Sequence, residues 1–384
     1  MITQEEYKKR RDKVLSLLPK NSVFVLHSAT YKTRSHDTEY PYRQDSNFYY
    51  LTGFKEDNSA LMFVKSKKEI KTVLFVAKKD KLQELWNGKR VGVKKAKKMF
   101  LVDEVYEYDK LHVKSTDNTL LLNILKDMRL IKSKSEIELI KKAISITKEA
   151  HNSSIKRVQE LSYEYELQAE FEYIFKKNGA YNDAYTSIIA CGNSANTLHY
   201  ISNNKKLKDG ELVLIDAGCE YKYYASDITR TIAVSGKFTK PQQELYDLVL
   251  NTQREIISMI KPNILRSDLQ KISQKLLTQG LVELGILKGK VKKLLKKEKF
   301  KEFYPHGIGH FMGLDVHDDV SYKYDDGKEI PLKEGMVLTI EPALYCNKKN
   351  KKIPKQYRGI GIRIEDNILV TKDGYENLSE GIVK

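Results

Sequence analysis

The chain has 384 residues, 41% of them hydrophobic, and a formal net charge of +17. That length exceeds the usual reach of one hydrophobic core, so two domains are expected. No apolar run approaches the roughly 18–20 residues of a membrane-spanning helix, and a charge this high but scattered bears on solubility and nonspecific contacts, not on fold.

The N-terminus, Met1 to Glu6, is acidic and polar where a signal peptide would be basic and then apolar, so the chain is expected in the cytoplasm. Cys191, Cys219 and Cys346 are odd in number and widely spaced, which suits reduced, buried thiols and no zinc or redox pair.

Up to about Arg129 the pattern mixes strands with short helices. Ser22–His27, Ser59–Val64 and Thr72–Ala77 are β-branched and apolar and read as buried strands. A boundary falls near Lys132. Ser133 and Glu136 have capping-box spacing, and Ile137, Ile140 and Ile144 behind them mark one helical face, so a new domain opens there. Helices follow at Tyr163–Asn178, at Pro241–Ile260 with its proline in the first turn, and at Ser267–Leu284. Strands are expected at Leu212–Ile215, Asp227–Val234, Met336–Ile340 and Ile360–Leu369. Strands joined by hairpins and covered by helices make an α+β class, with domains at 1–132 and 133–384. There is no internal repeat of 20–50 residues and no low-complexity linker. In the dense stretch Lys288–Lys301, Val291, Leu294, Leu295 and Phe300 are spaced roughly like one helical face, which reads as a solvated helix. A nucleic-acid tract would interleave arginine, glycine and stacking aromatics, so no nucleic-acid partner is expected.

The chemistry lies in the second domain. Asp216 ends one apolar run and Asp227 begins the next; if these runs pair as a hairpin, the two carboxylates come close and repel unless cations neutralise them. Glu341 ends the run Met336–Ile340, and Glu365 sits within Gly359–Glu365, two residues after Arg363. Singly, each acid reads as a strand-end or salt-bridge residue; four at apolar strand positions point to a metal site. His306, His310 and His317 cluster in Pro305–Asp318. The i,i+4 spacing of the first two would suit a helical zinc motif, but Gly307 and Gly309 argue against a helix and the adjacent glutamate of such a motif is missing. One ligand is therefore assigned, His310, and His306 and His317 are left facing substrate. A fourth histidine, His199, stands alone in Asn196–Tyr200. Two Asp, two Glu and one His form an oxygen-rich set that suits Mn²⁺, with Co²⁺ or Zn²⁺ also accommodated, and is large enough for two ions. Such a pair, ~3.5–4 Å apart, activates a water and clamps a carbonyl, which implies hydrolysis without a protein nucleophile.

These motifs closely resemble the bacterial Xaa-Pro aminopeptidases (aminopeptidase P) of the pita-bread metallopeptidases: Asp216–Lys222 with Asp227–Arg230, His306–Asp318, Glu341-Pro342 and Arg358–Glu365. Arg34–Asp37 and Tyr40–Gly53 resemble that family's N-terminal domain, so the likeness runs nearly end to end with no motif residue missing. It implies a pita-bread catalytic domain behind a smaller α/β N-terminal domain, and a bridging hydroxide as nucleophile. Asp216 would bind one metal, Asp227 and Glu365 would bridge both, and His310 and Glu341 would complete the shell. Glu341 would also carry a proton from the attacking water to the leaving proline nitrogen. His199 and His317 would face the scissile region, His306 would help form the proline pocket, Tyr185 would line it, and Arg363 would orient a metal carboxylate. The substrates implied are peptides with proline second. Trp86 resembles a segment that reaches a neighbouring subunit's active site, so a dimer or tetramer is implied.

The nearest rival is a prolidase limited to dipeptides, which the tyrosine-rich Tyr40–Phe54 disfavours. Methionine aminopeptidase lacks the extra N-terminal domain. A metal-free creatinase-like hydrolase is disfavoured because every ligand position is filled. A metal-free binding module is disfavoured because buried acids without ions would destabilise the fold.

Overall fold

A computed structural model describes residues 1–113 and 117–384, and these divide into two compact units, Met1–Arg129 and Leu130–Lys384. In the first, Thr3 caps the helix Gln4–Leu17 by accepting from the Glu6 amide. Its sheet holds β1 (Ser22–His27), β2 (Ala60–Lys65), β3 (Ile70–Val76) and β4 (Glu104–Glu107), in that order. β1, β2 and β3 pair antiparallel, whereas β4 runs parallel to β3. A parallel partner needs a long crossover, and the helices Lys81–Asn87 and Gly92–Met99 occupy it. The three expected strands are present to within a residue or two.

The second unit opens with the helix Lys134–Arg157. Ser133 Oγ accepts from the Glu136 amide and Glu136 reaches back to the Ser133 amide, forming the capping box. The helices Glu164–Lys177, Lys240–Ser258 and Arg266–Glu283 follow, each close to its expected span. The helix in the lysine stretch is shorter than the spacing suggests. It covers Val291–Lys296 and stops because Glu298 takes a left-handed φ of 49°, leaving Phe300 buried in a separate 3-10 turn.

Seven strands position the site: β5 (Ile188–Cys191), β6 (Leu212–Ala217), β7 (Ile228–Ala233), β8 (Val337–Ile340), β9 (Ala343–Cys346), β10 (Ile360–Arg363) and β11 (Asp366–Val370). β6 pairs antiparallel with both β5 and β7. The sequence suggests one strand over Ile360–Leu369; the structure has two, in different sheets. β11 pairs with β8 and β10 with β9. Both sides of this long ribbon break at one level, Glu341-Pro342 opposite Ile364-Glu365. Pro342 has no amide to donate, so the ladder cannot continue through it. Glu341 and Glu365 are thereby the acids at the interruption.

In the core of this unit, Leu344 and Ile362 of the ribbon belong to one apolar cluster and Leu338, Ile340 and Ile368 to another, while Ile189, Val213 and Ile215 of β5 and β6 join a further one. Cys191, Cys219 and Cys346 are free and buried, and no helix of the described residues is long and apolar enough to cross a membrane.

Candidate metal centre

The pairing register brings the aspartates together. Asp216 lies opposite Thr229 on β7, so Asp227, two residues earlier, is its diagonal neighbour on the same face. The chain between them must fold back tightly. A Cβ on Gly218 would fall 1.9 Å from the Ser226 carbonyl oxygen, so only glycine fits. Asn367 clasps Asp227 from the far side, accepting from its amide at 3.1 Å and donating to its carbonyl.

The histidine segment lies along β8 without forming a helix. The Thr339 amide donates to His310 O at 2.9 Å and the Glu341 amide to Ile308 O at 2.8 Å. This close approach requires Gly309, where a Cβ would meet the Thr339 carbonyl oxygen at 1.9 Å. Glu341 and His310 thus become neighbours although far apart in sequence.

One cavity of about 180 Å³ receives the result. Asp216, Asp227, Glu341 and Glu365 line it with His199, His306, His310, His317 and Arg363. Donor atoms of Asp227, His310 and Glu365 lie within 4.8 Å of one another, close enough to hold one ion. His310 Nε2 is 3.3 Å from Asp227 Oδ2 and 4.0 Å from Glu341 Oε1. The other ring nitrogen, Nδ1, donates to the Phe311 carbonyl at 3.1 Å, which leaves Nε2 able to face an ion. His317 packs edge-on against His310 with ring centroids 4.2 Å apart.

Tyr185 is not among the cavity-lining residues. Its hydroxyl lies 2.5 Å from Asp216 Oδ1 and 2.6 Å from Asp227 Oδ1, so it braces the two carboxylates. Arg363 Nη2 donates to Asp216 Oδ2 at 2.6 Å, Nη1 to the Tyr345 hydroxyl at 2.7 Å and Nε to Thr229 Oγ1 at 3.2 Å. Thr229 in turn donates to Glu365 Oε2 at 2.8 Å, so Arg363 and Glu365 are linked through one hydroxyl.

The electrostatics ask for added positive charge. Burial, reinforced by the other carboxylates, holds Glu365 well above the usual carboxylate range. Burial pushes Glu341 up to about 7 against the pull of His310 and Arg363, and raises Asp216 despite Arg363. Burial disfavours the charge on His310, but Asp227 and Glu341 overcome it and push the imidazole up to about 9. Four carboxylates facing one guanidinium and one imidazole fit divalent cations, whose charge and oxygen preference match this set.

Two further cavity residues, Leu198 and Tyr345, escaped the sequence reading. Tyr345 emerges only once the register is known, which puts it diagonally across from Arg363. His306 Nδ1 donates to the Gly307 carbonyl at 2.8 Å, which leaves Nε2 to accept from the Tyr345 hydroxyl at 3.1 Å. That neutral state agrees with burial, which with Arg363 pushes His306 down to about 4.

Residues 138–372 match metallopeptidase family M24, and residues 7–119 match the aminopeptidase P N-terminal domain. A Xaa-Pro aminopeptidase of Haemophilus influenzae is 39% identical over an alignment covering 100% of this chain and 96% of that protein. Among solved structures, proline aminopeptidase P II from Yersinia pestis has a TM-score of 0.92 at 36% identity, covering 100% of this chain and 97% of that one. A zinc-substituted Escherichia coli aminopeptidase P in complex with product has a TM-score of 0.92 at 35% identity, covering 100% and 96% of the two chains.

Proposed function

The chain belongs to metallopeptidase family M24 and carries an aminopeptidase P N-terminal domain; from that membership and the site we propose that it removes the first residue of peptides whose second residue is proline. The observation that carries the reading is the convergence of Asp216, Asp227, His310, Glu341 and Glu365 in one cavity walled by His199, His306 and His317. The relatives named for Xaa-Pro cleavage support the specificity. Residues 133–384 form the catalytic domain and 1–132 the N-terminal domain.

Asp216, Asp227, His310, Glu341 and Glu365 would hold two divalent ions, Mn²⁺ in the first place, with Asp227 and Glu365 shared between them. When bound, such a pair supplies an activated hydroxide as nucleophile and a Lewis acid for the scissile carbonyl. The chain's own residues do the rest. Arg363 and Tyr185 fix Asp216, and Thr229 fixes Glu365, so the carboxylates are oriented before substrate arrives. Glu341 Oε2 lies 3.7 Å from His306 Nδ1, on the side where the leaving nitrogen would sit. Its carboxylate takes the proton released by the attacking water and returns it to the proline nitrogen. His199 and His317 bind the carbonyl and amine side of the first residue. His306 and Tyr345, with ring centroids 5.7 Å apart, form the wall against which the proline ring packs. An X–Pro bond has no amide hydrogen, so a site that reads ring shape accepts what other peptidases reject.

We also place the enzyme in the cytoplasm, as a homo-oligomer. Trp86 and Leu85 are each 78% exposed on the helix Lys81–Asn87, a costly arrangement for a surface meeting only water.

The test is release of the first residue from X-Pro-Y and matched X-Ala-Y peptides, with Mn²⁺ and with chelator. Chelator-sensitive cleavage only when proline follows is expected. Equal cleavage of the alanine series would refute the specificity, and cleavage of X-Pro dipeptides alone would make the chain a prolidase.

A further inference from the structure

Two lysine-rich stretches far apart in sequence, Lys288–Lys301 and Lys348–Lys355, are set side by side by the fold. Phe300 and Phe303 from the first region pack with Ile353 and Tyr357 from the second in one buried cluster. Asn350 Nδ2 donates to Glu302 Oε1 at 2.8 Å, and the Tyr345 amide donates to Phe303 O at 2.9 Å. Every lysine of both stretches is exposed. The acids in residues 288–302 and 348–355 are Glu298, paired with Lys301 at 2.7 Å, and Glu302, which holds Asn350. The result is one strongly positive surface.

Both stretches lead directly into the cavity wall. Lys301 precedes His306 by five residues, and Lys348 follows Tyr345 by three. Three residues span at most about 11 Å of extended chain. The second stretch is also tied to the segment that supplies two more lining residues. The Lys348 amide donates to Asn193 Oδ1 at 2.8 Å, and Asn193 belongs to the 3-10 turn Gly192–Asn196, just before Leu198 and His199.

We infer that this lysine surface selects the part of the substrate beyond the proline, favouring peptides with acidic side chains two to five residues after it. The inference rests on the proposed function, because the wall of His306 and Tyr345 fixes where the chain leaves the site. A single exposed ion pair contributes little. Several lysines of one sign on the exit side act together, raising capture of an anionic peptide by an order of magnitude or more at low salt. A nucleic acid fits less well. Binding a single strand needs stacking aromatics, and Phe300, Phe303 and Tyr357 are all buried. Arg358, the arginine beside the patch, points its guanidinium at the carbonyls of Ile353 and Lys351.

The test uses full-length Mn²⁺-loaded enzyme and X-Pro-Ala peptides extended by serine, glutamate or lysine tails, with unextended X-Pro-Ala as reference. At low salt the glutamate tail should raise kcat/KM about tenfold over the serine tail, and the lysine tail should fall below it. The gap should close at about 0.5 M salt, where screening is nearly complete beyond a few ångströms. The triple variant Lys348→Glu, Lys351→Glu, Lys352→Glu should lose the preference while cleaving the reference at the wild-type rate. A second variant, Lys292→Ser with Lys293→Ser and Lys296→Ser, should weaken it in the same direction. Equal kcat/KM for the three tails, or a preference that survives in both variants, overturns the inference. So does an RNA oligonucleotide that binds wild type but not the variants when the tails are not distinguished. Failure to cleave the reference would strike the peptidase reading itself, and this inference with it.

Discussion

Glu365 and Asp366 are consecutive buried carboxylates, and the fold treats them in opposite ways. Glu365 faces the cavity among Asp216, Asp227 and Glu341, where burial and those neighbours hold its pKa well above the usual range. Burial pushes Asp366 up as well, but Arg230 and Lys384 overcome it and hold this carboxyl below the usual range. Arg230 Nη2 and Asn377 Nδ2 each donate to Asp366 at 2.8 Å, and Lys384 Nζ is also bonded to it. Arg230, itself enclosed, directs its other donors to the carbonyls of Thr229 at 2.9 Å, Glu365 at 2.7 Å and Val383 at 3.1 Å. Behind the ribbon, then, the charge on Asp366 is balanced by the chain itself; in front, four carboxylates share Arg363 and His310. Buried negative charge left unbalanced marks where something positive from outside the chain belongs.

Substitutions on the two sides should therefore fail differently. Glu365→Gln should cut kcat/KM on an X-Pro-Y peptide by ~10³-fold or more, which is about 4 kcal/mol of transition-state stabilisation. Yet the metal-free variant should melt no lower than metal-free wild type, since one of several mutually repelling groups is gone. A large fall in its Tm would break the comparison. Asp366→Asn should do the reverse in kind. It leaves Arg230 buried without its counter-ion, at a cost of about 3–5 kcal/mol in urea unfolding whether or not metal is present. A cost below 1 kcal/mol would mean that the rear network is not what holds β7 to β11.

His151 extends the comparison to a group kept neutral behind β7. Its Nε2 lies 3.2 Å from the Ile228 carbonyl oxygen. Burial first, then the charge of Arg230, pushes its pKa down to about 3. Below the ordinary histidine value near 6.5 the unfolded chain takes up a proton that the folded one refuses, so stability is full above that pH and is lost as pH falls. The loss should reach about 2 kcal/mol by pH 5. Urea melts of metal-free wild type and His151→Asn between pH 7 and 5 check this. The variant should start less stable but decline less steeply, and parallel slopes would remove His151 from the account.

Much of this cavity was legible in the sequence because the acids that line it obey a simple rule: carboxylates stand at the edges of apolar runs, where no carboxylate should be buried alone. Asp216, Asp227, Glu341 and Glu365 stood out that way, and Gly307 and Gly309 argued correctly against a helix around His310. The break at Glu341-Pro342 and Ile364-Glu365 did not stand out, because alternation marks a strand but not its partner. Ile360–Leu369 read as one strand for that reason. Tyr345, the clasp of Arg230 on Asp366, and the meeting of Lys288–Lys301 with Lys348–Lys355 all depend on register or packing between distant segments. The contact of the Tyr185 hydroxyl with both Asp216 and Asp227 likewise appears only in the distances.

The smallest expected effect tests the front of the ribbon most directly. Burial raises Glu341 to about 7, burial and neighbouring carboxylates hold Glu365 higher still, and Asp227 with Glu341 pushes His310 to about 9 against its burial. A metal-free site at neutral pH therefore carries protons on groups that must lose them to bind a cation. Loading Mn²⁺ at pH 7 should release more than one proton. Affinity should weaken as pH falls, about tenfold, or ~1.4 kcal/mol, per pH unit for each proton released. Calorimetric titrations in buffers of different ionisation enthalpy count those protons. A count near zero would mean that the front carboxylates are already ionised without metal, balanced by the chain as Asp366 is, and the contrast between the two sides would no longer hold.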